Sequence, residues 1–433
     1  PEEGGDVDKI YHTYSLSEIA SFFPNLDLNT VLADSGVKEE PKIQITNPEL
    51  VKEFAVSFTD ENLAALKTAA KISLLNGYGG SLSTGFVDAA NTFNAEYLNI
   101  SGTYTEEELA AQVLSQTMSD YIGELYAEKY FTEDAKQNVL KMVQDIISVY
   151  KERIAALDWM SRTTKEKAIR KLDHMNIKIG YPDHFTTYLD QTEIRPGEEG
   201  GSYFENIIAI AKASRADYNS RQGQPVDKTR WIMSPYTVNA CYDATANDIT
   251  FPAAILQPPM YDVNASYEEN LGAIGYIIAH EITHAFDDTG AEFNENGRYK
   301  DWWTERDRKG FERICNQVTS FYDQWEISNS ARSDGSLTLG ENMADLGAMS
   351  CTLGLMKNQG SRNYRLYFDT FADIWKTYNS KPYTEYLAEN DSHSAAKLRV
   401  NRLVVNFQEF YDAYGITEND GMYVPPNQRV SMW

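Results

Sequence analysis

The chain has 433 residues, 42% hydrophobic and 12% aromatic, which predicts a globular protein with a large core and excludes a disordered one. Its net charge of −25 argues against nucleic acid or an anionic membrane as a partner and indicates a solvated acidic surface. No apolar run is long enough to span a bilayer. Cys241, Cys315 and Cys351 are too scattered for a zinc ribbon, and their odd number argues against a disulfide framework.

Capping signals and apolar periodicity predict helices after a mixed N-terminal stretch. Asp60 can cap a helix that runs to Leu75, and the capping-box sequence that begins at Thr105 opens a helix towards Tyr126. Thr132 caps a longer helix. Its apolar residues recur at helical spacing and predict a buried face: Val139, Met142, Val143, Ile146, Ile147, Tyr150 and Ile154.

The middle of the chain changes from helix to strand. A helix rich in Lys and Arg starts at Thr164, and a loop over residues 180–202 separates it from a helix over residues 203–218. The pattern then predicts two short strands, residues 237–242 and 249–252, joined by a turn. A small hairpin or sheet edge is therefore expected shortly before the next helix.

That helix, residues 275–286, carries the sequence His-Glu-x-x-His. Positions four apart share a helix face, so His280 and His284 can present two imidazoles to one metal ion. Glu281 lies one residue round the helix, where it can act as general base on a water that zinc activates. The motif alone leaves a second interpretation open, in which both histidines are ordinary residues of a buried helix.

A second motif further along the chain favours the metal site. A hydrolytic zinc ion takes three protein ligands and keeps a fourth position open. Glu341, in the sequence Gly-Glu-Asn-Met-Ala-Asp, can be the third ligand. Asp345 shares its helix face and can accept the second N–H of a ligand histidine. Helices are predicted for the rest of the chain, closing with one from Ser394 to Tyr414.

These motifs and several other stretches resemble the neprilysin and endothelin-converting-enzyme family of peptidases, and most closely its bacterial endopeptidase O branch. The resemblance covers essentially the whole chain and rests on Leu157–Met160, Ile179–Asp183, Val238–Tyr242, Phe251–Pro259, His280–Asp287, Asp301–Thr304, Gly340–Asp345 and the C-terminal Trp433. It implies a mainly helical, thermolysin-like zinc peptidase lobe with a small β-sheet beside the His-Glu-x-x-His helix. It also implies one zinc ion per chain, bound by His280, His284 and Glu341.

The resemblance implies roles for residues that their own patterns would not single out. Asn239 and Ala240 match the pair that hydrogen-bonds the backbone of an extended substrate, although an asparagine alone is also typical of a turn. His393 matches the histidine that steadies the oxyanion. Arg399 matches the arginine that binds a substrate carbonyl and stabilises the active site. Without the resemblance, His393 is typical of a surface residue at a helix start, and Arg399 of a solvated helix residue.

The resemblance further implies an apolar pocket for the residue that follows the scissile bond. Its lining matches Ile255, Met260, Ile277 and Trp375, side chains that would also suit an ordinary core. The predicted function is a zinc-dependent endopeptidase that cuts oligopeptides before a large hydrophobic residue.

Two other functions compete with this one. A zinc aminopeptidase needs a carboxylate set for the free substrate amine, typically on a Gly-x-Met-Glu-Asn strand, and that motif does not occur in the sequence. A catalytically inactive binding protein would keep the fold without turnover, but the intact Glu281 argues against it.

The predicted domains are a helical part of the catalytic lobe (1–185), a crossover that is a remnant of a second, covering lobe (186–235), and a zinc-binding core (236–433). Because the sequence starts at Pro1, partway through the family pattern, we expect the covering lobe to precede it in a longer polypeptide. That lobe is a potential partner, and it would restrict access to short peptides. The resemblance favours an extracellular or cell-envelope location in a bacterium, with the cytoplasm as the alternative.

Overall fold

The structure is a computed structural model that describes residues 12–37, 42–97, 105–186 and 188–432. Pro1 and Trp433, used in the sequence predictions, lie outside these residues. Within the described part of the chain, no helix is long and apolar enough to cross a membrane.

Helices make up most of the described chain. In chain order they are α1 (Leu16–Phe22), α2 (Leu28–Asp34), α3 (Pro48–Val56), α4 (Leu63–Tyr78), α5 (Thr84–Tyr97), α6 (Glu106–Thr117), α7 (Ser119–Tyr130), α8 (Glu133–Ala156), α9 (Arg162–Asp173), α10 (Tyr203–Ser220), α11 (Tyr267–Asn270), α12 (Tyr276–Thr283), α13 (Glu305–Tyr322), α14 (Leu339–Asn358), α15 (Tyr364–Ile374), α16 (Lys381–Asn390), α17 (Ala396–Val404) and α18 (Gln408–Tyr414). The strands are β1 (His12–Tyr14), β2 (Ile43–Ile45), β3 (Asn176–Gly180), β4 (Cys241–Asp243) and β5 (Asp248–Pro252).

Contacts divide the chain into two compact units. Of the described residues, the first contains those within 1–122 and 184–226, and the second contains those within 123–183 and 227–433. The predicted helical part, residues 1–185, is thus shared between the two units. The predicted assignment of lobes stays a prediction.

The first unit has an antiparallel pair, β1 with β2, beside a small apolar cluster around Ile19 and Phe23. The predicted capping box at Thr105 is confirmed: its hydroxyl accepts the N–H of Glu108, whose carboxylate accepts the N–H of Thr105 at 2.8 Å. That helix was predicted too long, because the backbone leaves the helical region at Met118 before α7 begins. Asp60 is not the cap predicted for α4, since it lies in the turn that precedes Leu63.

The second unit is built on α8, whose predicted cap and buried face are both confirmed. The hydroxyl of Thr132 accepts the N–H of Ala135, and the apolar stripe from Val139 to Ile154 is buried. The predicted start of α9 at Thr164 is wrong, because Ser161 caps this helix. Thr164 lies inside the first turn, where its hydroxyl donates to a buried carboxylate.

A three-stranded sheet in order β3-β5-β4 lies in the second unit. The predicted hairpin is confirmed by the antiparallel pairing of β4 with β5. The sequence reasoning missed β3, which pairs with β5 in parallel from Asn176↔Asp248 to Gly180↔Pro252. A parallel partner lies far away in sequence, so no local turn signal announces it.

The helical segment over residues 267–286 is continuous but not uniform. A π-helical turn, residues 271–275, joins α11 to α12, and a 3₁₀ turn, residues 284–286, follows α12. Every residue of α12 is buried, and the helix packs along α14 and α8. The hydroxyl of Tyr150 in α8 donates to the carbonyl of Ala279 at 2.8 Å, which fixes α12 against that neighbour.

Candidate active site

His280 of α12 and His284 of the 3₁₀ turn that follows it point towards one another. His280 and His284 lie one turn apart, and their Nε2 atoms are 3.0 Å apart. The rings meet nearly at right angles, with centroids 4.6 Å apart. Two imidazole nitrogens at this separation can bind the same metal ion. Neutral imidazole nitrogen, like carboxylate oxygen, is a common ligand of zinc.

Glu341, in the first turn of α14, completes a set of three donors. Its Oε2 lies 3.1 Å from Nε2 of His280 and 3.7 Å from Nε2 of His284. The three ligand atoms all lie within 4.8 Å of one another. Oε2 is buried and has no well-directed hydrogen bond in the described residues. A buried carboxylate oxygen without a proton donor fits a metal ligand, so these residues fit a zinc ion.

The Nδ1 atom of each histidine contacts a further carboxylate, different from that of Glu341. Nδ1 of His280 lies 2.8 Å from Oδ1 of Asp345, the residue the sequence suggested for this position. Nδ1 of His284 lies 2.6 Å from Oδ2 of Asp287, which the sequence reasoning assigned no role. Its position three residues after His284 was the available signal. In each pair the carboxylate holds the Nδ1–H tautomer, so Nε2 is left free to bind a metal.

The surrounding charges favour a cation at this cluster. Burial lowers the pKa of His284, but the hydrogen bond and charge of Asp287 outweigh it and raise that pKa to about 10. Burial raises the pKa of Glu341, but the imidazole of His280 beside it outweighs this and lowers the pKa to about 2. Carboxylates that stabilise imidazolium ions in this way also stabilise a divalent cation.

Lys171 of α9 holds the segment that follows the histidine motif. Its ammonium donates to the carbonyls of Ala285, Gly290 and Phe293 at 2.7–2.8 Å, and the side chain is 1% exposed. Burial lowers the pKa of Lys171 to about 7. The sequence predicted only that α9 is rich in cations. The contact fixes the segment that carries Asp287, so the orientation of His284 depends partly on a residue far away in sequence.

A cleft of about 760 Å³ opens beside the candidate metal ligands. It brings together most of the residues that the resemblance singled out, namely Asn239, Ala240, Ile255, Met260, Ile277, His280, Glu281, Trp375, His393 and Arg399. Glu281 is 7% exposed and lines this cleft next to His280. A carboxylate in such a position can reach a water molecule or a peptide nitrogen in the cleft.

Asn239 and Ala240 directly precede the edge strand β4. The strand order leaves the far side of β4 unpaired within the described sheet, and both residues line the cleft. The side-chain oxygen of Asn239 accepts the N–H of Ala240 at 2.9 Å, which holds this short stretch in place. An exposed strand edge of this kind can accept an extended peptide.

His393 and Arg399 approach the site from the C-terminal part of the chain. Nε2 of His393 lies 3.3 Å from Oε2 of Glu341, and its Nδ1 lies 2.8 Å from Oδ1 of Asp391. The guanidinium of Arg399 donates to Oδ1 of Asp345 at 2.7 Å and 3.1 Å and lies 4.0 Å from the ring centroid of Trp375. Arg399 thus holds the carboxylate of Asp345 in place. Its binding of a substrate carbonyl stays a prediction.

The chain is similar to known proteins along its whole length. Two profiles of peptidase family M13 match the chain, over residues 1–182 and residues 239–430. A neutral endopeptidase of Lactococcus lactis subsp. cremoris is 32% identical over 432 residues, which is 100% of this chain and 68% of that protein. This chain belongs to peptidase family M13.

Other M13 relatives agree in sequence and in fold. Human neprilysin is 28% identical over 464 residues, covering 100% of this chain and 62% of neprilysin. PepO from Lactobacillus rhamnosis HN001 superimposes with a TM-score of 0.91 at 30% identity, covering 98% of this chain and 67% of PepO. The zinc metalloprotease Zmp1 of Mycobacterium tuberculosis, in complex with inhibitor, gives 0.86 at 27% identity, covering 100% of this chain and 67% of Zmp1. The predicted family and mainly helical fold are confirmed, and this M13 chain is a zinc metalloendopeptidase.

Proposed function

We propose that this M13 endopeptidase binds one zinc ion per chain, on His280, His284 and Glu341, and cuts oligopeptides before a large hydrophobic residue. The observation that carries the proposal is the convergence of three donor atoms within 4.8 Å, beside a cleft with an apolar lining. Zinc in this position supplies Lewis acidity, which polarises a peptide carbonyl and acidifies water.

Glu281 acts as the general base and then as the general acid. Its carboxylate takes the proton of the attacking water and later delivers a proton to the nitrogen of the departing amine. The α-helix fixes Glu281 next to His280, so the carboxylate stays on the cleft side of the ligand cluster.

His393 stabilises the negative charge that develops on the substrate carbonyl oxygen. Asp391 accepts from Nδ1 of His393 and fixes the orientation of the ring, so that Nε2 is directed towards the site, 3.3 Å from Oε2 of Glu341. A donor that is already in place when the charge develops adds to catalysis without the cost of reorganisation.

Substrate specificity comes from the strand edge and the apolar side chains. An extended peptide pairs with the stretch at Asn239 and Ala240, which sets its direction through the cleft. The residue after the scissile bond then meets Ile255, Met260, Ile277 and Trp375. These four side chains give the preference for a large hydrophobic residue.

Metal analysis and a cleavage profile test this proposal together. Elemental analysis is expected to give one zinc per chain, and mass spectrometry of a digested peptide library should show cuts before large apolar residues. N-acetylated peptides should be cut as well, because an endopeptidase does not need a free substrate amine. Release of single N-terminal residues alone would instead indicate an aminopeptidase, and a zinc-loaded protein without turnover would indicate a binding protein.

The covering lobe and the cell-envelope or extracellular location are part of the same proposal. The chain spans 68% of the length of the Lactococcus relative, so that relative has room for a further lobe. With such a lobe over the cleft, short peptides would be preferred to folded proteins.

A further inference from the structure

Three side chains converge on one oxygen of Asp345. Oδ1 accepts from the hydroxyl of Tyr276 at 2.5 Å and from Nη2 of Arg399 at 2.7 Å, and it lies 2.8 Å from Nδ1 of His280. Asp345 is 1% exposed, so its carboxylate faces protein groups rather than bulk solvent. The orientation of this carboxylate is therefore set by the protein alone.

Tyr276 reaches this position because it lies one turn before His280 on α12. Its ring is fully buried and packs against Phe371, with centroids 4.6 Å apart, and against Trp375, with centroids 6.4 Å apart. A buried phenol has to find a hydrogen-bond partner, and here the partner is Asp345. Tyr276 is also among the residues around the cleft, so one side chain contacts both the apolar pocket and Asp345, the carboxylate that orients His280.

We propose that Tyr276 is a positioning residue, which holds the carboxylate of Asp345 and through it the imidazole of His280. This inference rests on the proposed function, since it takes His280 to be a zinc ligand. Without the hydroxyl, Asp345 keeps Arg399 and His280 as partners but loses its hydrogen bond from Tyr276. The ring of His280 then occupies its ligand orientation for less of the time.

The test is the zinc dissociation constant of the folded protein, measured by competition with a chelator. Tyr276→Phe keeps the ring and removes only the hydroxyl, and zinc binding should weaken by about 10-fold, the lower end for loss of an outer-shell partner. Tyr276→Met, which fills the space with a flexible apolar side chain, should show the same loss and serves if the first variant does not fold. Unchanged or tighter zinc binding in a folded variant would overturn the proposal.

Tyr367→Phe is the matched control. Tyr367 is also fully buried and shares a 2.6 Å hydrogen bond with Thr352, so this variant loses a buried hydroxyl away from Asp345. Its zinc affinity should equal that of the wild-type protein. In an Asp345→Asn background, Tyr276→Phe should have no further effect, since the two residues act through one contact. An equal further loss there would indicate a merely structural role. Failure of the wild-type protein to bind zinc would instead refute the proposed function.

Discussion

Oδ2 of Asp287 lies 2.6 Å from Nδ1 of His284, while Oδ1 of the same carboxylate accepts the backbone N–H groups of Thr289 and Gly290. The carboxylate thus connects the second histidine to the loop that follows α12. Because the backbone N–H groups select an acceptor, an amide in this position would turn its NH₂ group towards His284.

Asp287→Asn should therefore weaken zinc binding by about 10- to 100-fold, since the altered partner favours the tautomer with its proton on Nε2. Chelator competition measures the effect. Asp145→Asn is a suitable control, because Asp145 forms a surface ion pair with Lys141. Equal zinc affinity in the Asp287 variant and the control would contradict the assigned role.

Glu281→Gln should separate metal binding from catalysis. The amide cannot accept the proton of water, so kcat should fall by at least about 10²-fold, while the zinc content stays at the wild-type level. Glu305→Gln, a change at the exposed first turn of α13, should alter neither quantity. A Glu281 variant that loses its zinc, or that keeps its activity, would show that the residue has another role.

Trp375→Ala should enlarge the apolar pocket and weaken discrimination among large residues after the scissile bond. A bound Phe or Leu side chain buries less apolar surface when the partly buried indole is absent, so kcat/KM should fall for those peptides. A matched peptide with Ala at that position provides the control and should change little. If the ratio of kcat/KM values for the Phe and Ala peptides is unchanged, Trp375 does not belong to the pocket.

Asp307 predicts an acid-sensitive contribution to stability. It is fully buried and accepts from the backbone N–H of Ser161 at 3.0 Å and from the hydroxyl of Thr164 at 2.6 Å, which ties α9 to α13. Burial raises its pKa, but the hydrogen bonds from Ser161, Thr164 and Thr304 outweigh this and hold the pKa below the usual value. A lowered folded-state pKa gives stability that is present above the unfolded pKa and is lost as the pH falls through the folded value.

Asp307→Asn should thus lower the free energy of unfolding by about 2 kcal/mol at pH 7. The difference from wild type should begin to shrink below about pH 4, where the unfolded chain takes up the proton, and should be lost only below the lowered pKa of the folded carboxylate. Denaturant titrations at pH 7 and pH 3 measure both values. Asp134→Asn, at the exposed start of α8, is the control and should change the free energy of unfolding only slightly at either pH. A difference that is as large at pH 3 as at pH 7 would mean that the charge of Asp307 is not its source.

Most of the correct sequence predictions concern features that depend only on neighbouring residues. The capping box at Thr105, the cap and buried stripe of α8 and the four-residue spacing of His280 and His284 depend on contacts within one or two helical turns. They can therefore be predicted from the sequence. The same rules failed where a competing neighbour was close in sequence. Ser161 rather than Thr164 caps α9, and Met118 interrupts a helix whose composition gives no sign of a break.

Contacts between side chains far apart in sequence depend on tertiary packing. Glu341 meets His280 only because α14 packs along α12, and His393 meets Glu341 only because the segment before α17 returns to the same cleft. Single-residue patterns do not show that Tyr276 and Lys171 are wholly buried donors, since a tyrosine or lysine looks the same in sequence whether it contacts water or a carboxylate. Burial is a property of the surrounding elements. The sequence by itself therefore determined the chemistry available at each position, and the packing of helices far apart in the chain determined which of those groups meet.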